Sequence, residues 1–303
     1  MAASKCNDVA AGLGRQVALA GVSNATAAMF TNPMDVIKVR MQMDGEGVQA
    51  ARRYRSVADA GSQLVRSEGI MGLYRGLGAS LCREMSYSGL RMGLYEPTKQ
   101  ALGATDPKST PLAMKILAGA VTGCTGSFLA NPFDLVKVRM QSEGRARYSS
   151  VPSALREIAR EGRGLAGLWR GSGPTVQRAT LLTASQVPTY DHVKHLVVDG
   201  GYMPEGYRVH FFCSMVAGVV AAAVTSPVDL AKSRVMVQPI CPETGRGLLY
   251  SDVVDCLRKV VRNEGPAALF KGFNSQWLRI GPHTTVSLLV FEELRRMSGM
   301  AYL

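Results

Sequence analysis

Three segments of the chain repeat one arrangement of charged residues. Each reads proline, any residue, aspartate, two residues and lysine, and the prolines lie 99 and 95 residues apart. Acid and base three positions apart share nearly one face of a helix, so each pair could form a local bridge. The threefold recurrence also permits a ring in which each aspartate pairs with the lysine of the next repeat: Asp35 with Lys137, Asp134 with Lys232, and Asp229 with Lys38.

A second set of charges recurs further along each repeat, as an aromatic residue, an acid, two residues and a base. These residues could close another ring, with Glu96 paired to Lys194, Asp191 to Arg295, and Glu292 to Lys99. Two rings at opposite ends of one path could act as gates. Ion pairs suit this task, because the cost of desolvation largely offsets their attraction and a closed ring is only marginally stable.

Three arginines hold one place in the repeats, 13 residues before the acid of the second ring: Arg83, Arg178 and Arg279. An arginine inside a membrane is costly, so it extends to the interface or faces water, a counter-ion or a ligand. Three at matched depth favour a central anion site, because a guanidinium group binds a carboxylate with two hydrogen bonds. Glu84, which follows Arg83, could neutralise part of that charge or accept a proton, and His283 could supply a hydrogen bond; packing roles are the alternative.

The elements that would position these charges are long apolar stretches, which come in pairs at about 15–42, 77–99, 112–141, 172–195, 207–237 and 273–296. Each can cross roughly 30 Å of hydrocarbon as a helix, although buried helices of a soluble core have similar patterns. A short amphipathic segment between the members of each pair suits a membrane surface. We therefore predict an all-α membrane protein with six transmembrane helices and three short amphipathic helices, in repeats 15–104, 105–200 and 201–303 after an N-terminal tail, 1–14.

Composition excludes several other classes. The net charge of +12 suits anionic lipids or anionic substrates, and its scatter among apolar segments argues against a nucleic-acid partner. The six cysteines are too widely spaced to indicate a disulfide framework or a zinc site. We expect no metal or other cofactor, and no enzyme activity, because the sequence contains no nucleophile–base pair or phosphate-binding glycine loop.

The repeated landmarks resemble the mitochondrial carrier family over about residues 14–297. Besides the proline segments, each repeat has a glutamate–glycine pair and an aromatic–base–glycine segment. The resemblance implies a six-helix barrel in the inner mitochondrial membrane, with both termini toward the intermembrane space. It makes the first ring a matrix gate and the second a cytoplasmic gate.

The resemblance also assigns roles to residues around the gates. It implies that Gln42 and Gln141 brace the matrix gate, and that Tyr95 and Tyr190 brace the cytoplasmic gate. Met236 and Phe291 stand at the corresponding third positions, so each gate would have two braces. Cardiolipin would bind near the aromatic–base–glycine segments, at Gly76, Gly171 and Gly272.

The arginine triplet resembles the branch that contains the dicarboxylate, 2-oxoglutarate and oxaloacetate carriers and the uncoupling proteins. Our first hypothesis is therefore a functional monomer that exchanges dicarboxylates such as malate, oxaloacetate or 2-oxoglutarate by alternating access, with phosphate or sulfate as further candidates. An uncoupling-protein-like proton leak is the alternative. A non-transporting membrane adaptor with the carrier fold is a third.

Overall fold

The computed structural model describes residues 2–46, 53–101, 103, 112–142, 148–162, 164–201, 207–241 and 247–297. No β-strand occurs in these ranges. They contain ten α-helices: α1 (Ala2–Met43), α2 (Val57–Glu68), α3 (Leu77–Ala101), α4 (Leu112–Leu129), α5 (Asn131–Ser142), α6 (Val151–Glu161), α7 (Ser172–Asp199), α8 (Tyr207–Val237), α9 (Val253–Glu264) and α10 (Phe273–Met297). A 3₁₀ turn follows each short helix α2, α6 and α9: Ile70–Tyr74, Leu165–Trp169 and Pro266–Phe270.

The long helices occupy the predicted apolar stretches, and their irregularities have a cause in the sequence. Pro33 lies inside α1 and Pro227 inside α8. In the second repeat the corresponding helix is divided, since α4 ends at Leu129 and α5 begins at Asn131, next to Pro132. Proline lacks a backbone N–H and its ring crowds the preceding turn, so it kinks or interrupts a helix. The first helix begins at Ala2, inside the segment expected to be a tail.

The long helices pack in a closed ring. Following the chain, α1 contacts α3, α3 contacts α4 and α5, and α4 contacts α7; α7 then contacts α8, α8 contacts α10, and α10 returns to α1. This order makes each repeat a neighbour of the other two. Residues on the inner faces of α1, α5 and α8 can therefore meet near one axis, which is the requirement for the rings of charges.

The short helices have clear start signals and one buried face. The side chains of Ser56, Ser150 and Asp252 accept hydrogen bonds from backbone N–H groups three residues later, at 3.1, 3.4 and 2.7 Å. Such caps satisfy donors that the first turn leaves unpaired. Ile158 of α6 packs with Leu135 of α5. The equivalent contacts of α2 and α9 are with α1 and α8, so each short helix is fastened to the proline-containing helix of its own repeat.

Hydropathy alone marks few of these helices. In the part of the chain that the structure describes, Phe212–Val237 is the one helical segment long and apolar enough to span a membrane, with a hydropathy of 1.6, and Leu117–Leu129 is a shorter apolar segment. The other long helices carry charged side chains that lower their hydropathy, as Arg83 and Glu84 do in α3. Large apolar side chains such as Phe128 and Phe212 stay exposed on the outside of the ring of helices.

Candidate functional site

The first ring forms between repeats, where α1, α5 and α8 converge. Lys137 Nζ lies 2.7 Å from Asp35 Oδ2. The other two predicted pairs have the same geometry: Lys232 Nζ is 2.8 Å from Asp134 Oδ2, and Lys38 Nζ is 2.8 Å from Asp229 Oδ2. The three carboxylates are buried. The structure therefore brings together the inter-repeat pairs, and not a bridge within each segment.

Each aspartate of the first ring also binds one arginine of the triplet. Arg83 Nε lies 2.8 Å from Asp134 Oδ1. An Arg279 terminal nitrogen donates to both oxygens of Asp35, at 2.9 and 3.2 Å, and Arg178 Nε donates to Oδ1 of Asp229. The arginines of the predicted central anion site are therefore in direct contact with the first ring, and every aspartate holds one lysine and one arginine.

These nine charged side chains surround a cavity of about 100 Å³ on the axis of the helix ring. Val39, Val138 and Ser233 complete its lining together with the two predicted brace glutamines. The volume is small because carboxylates of the chain itself occupy the positions facing the guanidinium groups. A bound organic anion would have to take those positions from the aspartates.

Polar residues on α1, α3 and α10 line the same side of the bundle. Glu84 is buried and its Oε1 pairs with Arg83. His283 Nδ1 lies 3.3 Å from Thr31 Oγ1. Asn24 donates to Ser88 Oγ at 3.0 Å and accepts from Ser287 Oγ at 2.6 Å, so its amide joins the three helices.

The two predicted brace glutamines connect neighbouring repeats. Ser233 Oγ donates to Gln42 Oε1 at 2.7 Å, and Gln141 Nε2 donates to Asn32 Oδ1 at 3.3 Å. These bonds lie beside the ring, and among the described residues neither glutamine bonds to a ring lysine. In the third repeat the fully buried Met236 contributes apolar packing at the same position.

A further threefold network surrounds the first ring, and our sequence analysis missed it. The Nε atoms of three arginines donate to backbone carbonyls of the next repeat at 2.8, 3.0 and 3.1 Å: Arg40 to Gln141, Arg139 to Met236, and Arg234 to Gln42. The same arginines pair with the recurring glutamates, Arg40 with Glu68, Arg139 with Glu161, and Arg234 with Glu264. Two sequence signals could have revealed this network. One is the arginine two residues after each lysine, and the other is the glutamate–glycine pair that recurs at the same place in every repeat.

The second ring stays a prediction. The side chains of Glu96, Glu292 and Arg295 lie outside the described residues, and each predicted pair includes one of them. Of the remaining members, Lys99 is buried on α3 with its Nζ 5.8 Å from the centre of the Tyr95 ring. Asp191, Lys194 and Tyr190 lie half-buried on α7.

Comparison with known proteins identifies the family of the chain. The family model described as mitochondrial carrier protein matches residues 10–105, 108–201 and 204–301. The chain belongs to the mitochondrial carrier family. As a member of this family, it is a transporter and not an enzyme.

Three relatives of this carrier have names that indicate different activities. The mitochondrial substrate carrier family protein ucpB of Dictyostelium discoideum is 43% identical over 95% of this chain and 97% of its own. A probable mitochondrial 2-oxoglutarate/malate carrier protein of the same organism is 37% identical, with coverages of 92% and 88%. Mitochondrial uncoupling protein 5 of Arabidopsis thaliana is 36% identical, with coverages of 91% and 95%.

The three predicted lipid-site glycines of this carrier have a packing role in the structure. Gly76, Gly171 and Gly272 have φ values of 69°, 76° and 84°, in the left-handed region that favours glycine. A Cβ atom at Gly171 would lie 2.7 Å from Met236 Cγ, and one at Gly76 would lie 3.1 Å from Gln141 Cγ. The glycines therefore let the start of α3, α7 and α10 approach the proline-containing helix of the next repeat.

A larger cavity of about 600 Å³ lies beside Gly272, on the outside of the first ring. The start of α2 contributes Arg55 and Ser56, and the start of α10 contributes Lys271 and Phe273. Glu264 also lines this cavity and pairs with Lys271 at 2.6 Å. The backbone N–H groups at the helix starts and the side chain of Arg55 are therefore the features that favour an anionic group.

Proposed function

We propose that this carrier exchanges dianionic organic acids of the 2-oxoglutarate/malate class across the inner mitochondrial membrane by alternating access. One observation carries the proposal: each of the three arginines is bound to an aspartate of the first ring. The guanidinium groups are thus arranged to bind carboxylates in a buried site. The match to the 2-oxoglutarate/malate relative covers most of both chains, and the name of that relative supports the same substrate class.

The shared aspartates suggest how binding opens the gate. A substrate carboxylate that binds Arg279 replaces Asp35, which then keeps only its bond with Lys137. The arginine exchanges one carboxylate for another, so little electrostatic energy is lost at that position. Each displaced aspartate, however, keeps only one of its two bases, so the closed ring is held less strongly. Because binding costs little at the arginine and weakens the closed ring, it shifts the population toward the open form.

The proposed orientation follows from the two rings. The first ring is the matrix gate, and the short helices α2, α6 and α9 lie on the matrix side. The second ring is the cytoplasmic gate, with Tyr95 and Tyr190 as its braces. Six membrane-spanning segments, with α4 and α5 counted as one, place both termini in the intermembrane space. The exposed apolar side chains of α4 and α8 are suited to lipid contact. The functional unit that we propose is the monomer.

Cardiolipin is the proposed partner of the aromatic–base–glycine segments. The cavity beside Gly272 supports this, because its two helix starts and the basic side chain of Arg55 suit a lipid phosphate, while Lys271 is paired with Glu264. The equivalent places beside Gly76 and Gly171 would bind further lipids. Such lipids would join neighbouring repeats on the matrix side of the bundle.

Exchange in liposomes tests the proposed function. Purified carrier in cardiolipin-containing liposomes loaded with malate should take up labelled 2-oxoglutarate or malate, and uptake should require internal substrate. Oxaloacetate, phosphate and sulfate complete the panel. The Arg178→Ala variant, which removes one guanidinium group of the site, should lose exchange. Folded wild-type carrier that exchanged none of these anions would refute the proposal.

A proton leak is the second candidate, and the name of the uncoupling protein 5 relative favours it. The same liposomes, loaded with a pH-sensitive dye, would reveal it as a proton conductance that fatty acids stimulate in the absence of metabolite exchange. Exchange without such conductance would decide for the anion carrier and would also exclude a non-transporting adaptor.

A further inference from the structure

The charges around the central cavity are not balanced. Six bases line it, three lysines and three arginines, against the three aspartates of the first ring. The described lining thus has three excess positive charges. Glu84 adjoins this lining through its pair with Arg83 and lowers the excess to two. The two equivalent positions, directly after Arg178 and Arg279, are Ala179 and Ile280, so the added carboxylate breaks the threefold symmetry.

Glu84 and Arg83 are neighbours on one helix, so their ion pair does not depend on the contacts between repeats. Both residues are on α3, and Glu84 is 7% exposed. The charges of Lys137 from α5 and of Arg279 and His283 from α10 also act on its carboxylate. Arg83 therefore has two carboxylate partners, Asp134 and Glu84, and one of them is its neighbour in sequence.

The other two arginines differ in this respect. Among the described residues, Arg178 has the carboxylate of Asp229 as its partner, and Arg279 has that of Asp35. When a substrate displaces these aspartates, both guanidinium groups need a new carboxylate. An unpaired charge in a buried site is strongly unfavourable, so the number of vacated arginines sets the number of carboxylates that the site accepts.

We propose that Glu84 fixes the charge of the transported anion at two, by neutralising Arg83 and leaving Arg178 and Arg279 to bind one substrate carboxylate each. This inference rests on the proposed function and deepens it. A tricarboxylate would bring a third carboxylate with no vacated arginine to bind it. Removal of the charge at Glu84 should leave Arg83 with Asp134 as its carboxylate partner, like the other two arginines, so that a third substrate carboxylate can displace that aspartate.

Three anions with one carbon skeleton separate charge from size. Glutarate is a dianion, 3-methylglutarate is a dianion with a branch, and propane-1,2,3-tricarboxylate carries a carboxylate at the branch position. Each would compete with labelled malate for uptake into malate-loaded, cardiolipin-containing liposomes at neutral pH. In the wild type, both dianions should inhibit at lower concentrations than the trianion.

The Glu84→Gln variant should lower the ratio of trianion to dianion inhibitory concentrations roughly tenfold, the change that ~1.4 kcal/mol produces. Glu84→Asp keeps the charge and should keep the wild-type ratio. The double variant Glu84→Gln with Ala179→Glu moves the carboxylate to the next arginine and should restore the preference for dianions. A ratio in Glu84→Gln within about twofold of the wild type would overturn the inference.

The outcomes separate this inference from the proposed function. Wild-type carrier that exchanges no dicarboxylate refutes the proposed function, and the inference falls with it. Wild-type carrier that exchanges dicarboxylates, beside a Glu84→Gln variant with an unchanged ratio, refutes the inference alone. If Glu84→Gln does not fold, Ala179→Glu in the native background carries the test. Its extra carboxylate should neutralise Arg178 and leave Arg279 as the vacated arginine, so exchange of the dianion malate should fall well below the wild-type rate; unchanged malate exchange would contradict the proposal.

Discussion

Replacement of Asp35 by asparagine should destabilise the closed form strongly. The Asp35 side chain is buried and accepts bonds from Lys137 at 2.7 Å and from Arg279 at 2.9 and 3.2 Å. The neutral amide would leave the buried Lys137 and the half-buried Arg279 without their counter-ion. Removal of one partner from a buried pair costs about 3–5 kcal/mol. For a chain of 303 residues, that cost corresponds to a fall of roughly 5–8 °C in the unfolding temperature.

Thermal unfolding in detergent, followed with a thiol-reactive dye, measures this change. Cys213 and Cys256 are buried and unpaired, so they become reactive when the bundle opens. Asp255→Asn is the matched control: its pair with Lys259 lies on the exposed face of α9, where such pairs contribute little. The control variant should unfold close to the wild type.

A double-mutant cycle attributes the loss to the pair. Lys137→Met removes the charge and keeps much of the side-chain volume. If the Asp35–Lys137 bond holds the ring, the double variant should be more stable than the sum of the single effects predicts, by about 1–3 kcal/mol. Additive effects, or an Asp35→Asn variant that unfolds within about 2 °C of the wild type, would refute the assignment of this pair to the closed gate.

Two further predictions concern packing and pH. Gly171→Ala should cost about 1–3 kcal/mol, because its φ is 76° and the new Cβ would lie 2.7 Å from Met236 Cγ; Gly69→Ala, with φ 75° and no neighbour within 4 Å, should lower the unfolding temperature less. Burial raises the pKa of the Glu46 carboxyl above its ordinary value of 4.5, although the charge of Arg234 opposes this shift. The ionised carboxylate therefore destabilises the folded protein at neutral pH, and this destabilisation disappears when the pH falls below 4.5. Glu46→Gln should therefore raise the unfolding temperature at neutral pH, and the gain should vanish in acid; a pH-independent effect would contradict this.

The sequence predicted the first ring because recurrence at constant spacing carries three-dimensional information. Three helices with the same proline, aspartate and lysine must present them alike if the repeats pack around one axis. A single copy could not distinguish a local bridge from a contact between repeats. The pairing of each aspartate with the lysine of the next repeat, such as Asp35 with Lys137, follows from the cyclic order in which the helices pack.

The contact between the arginines and the ring could not be predicted in the same way. Spacing along a helix gives the relative height of two side chains on that helix. The distance from Arg83 on α3 to Asp134 on α5 depends instead on how the two helices tilt and on the arginine rotamer. Single-residue asymmetries such as Glu84 are visible in the sequence, and the adjacent Arg83 was a candidate partner there. Hydropathy had a similar limit, since helices that face a charged cavity are less apolar than helices surrounded by lipid.

In the proposed mechanism, sharing of the aspartates would make the closed gate depend on the absence of substrate. In a ring of aspartate–lysine pairs alone, an anion would have to compete for the lysines that close the gate. Here each aspartate gains part of its stabilisation from an arginine that the substrate also needs. With Glu84 retained on Arg83, the substrate would draw its carboxylate partners from Arg178 and Arg279. Opening would then begin at Asp229 and Asp35, while Asp134 stays bound to α3 and releases last.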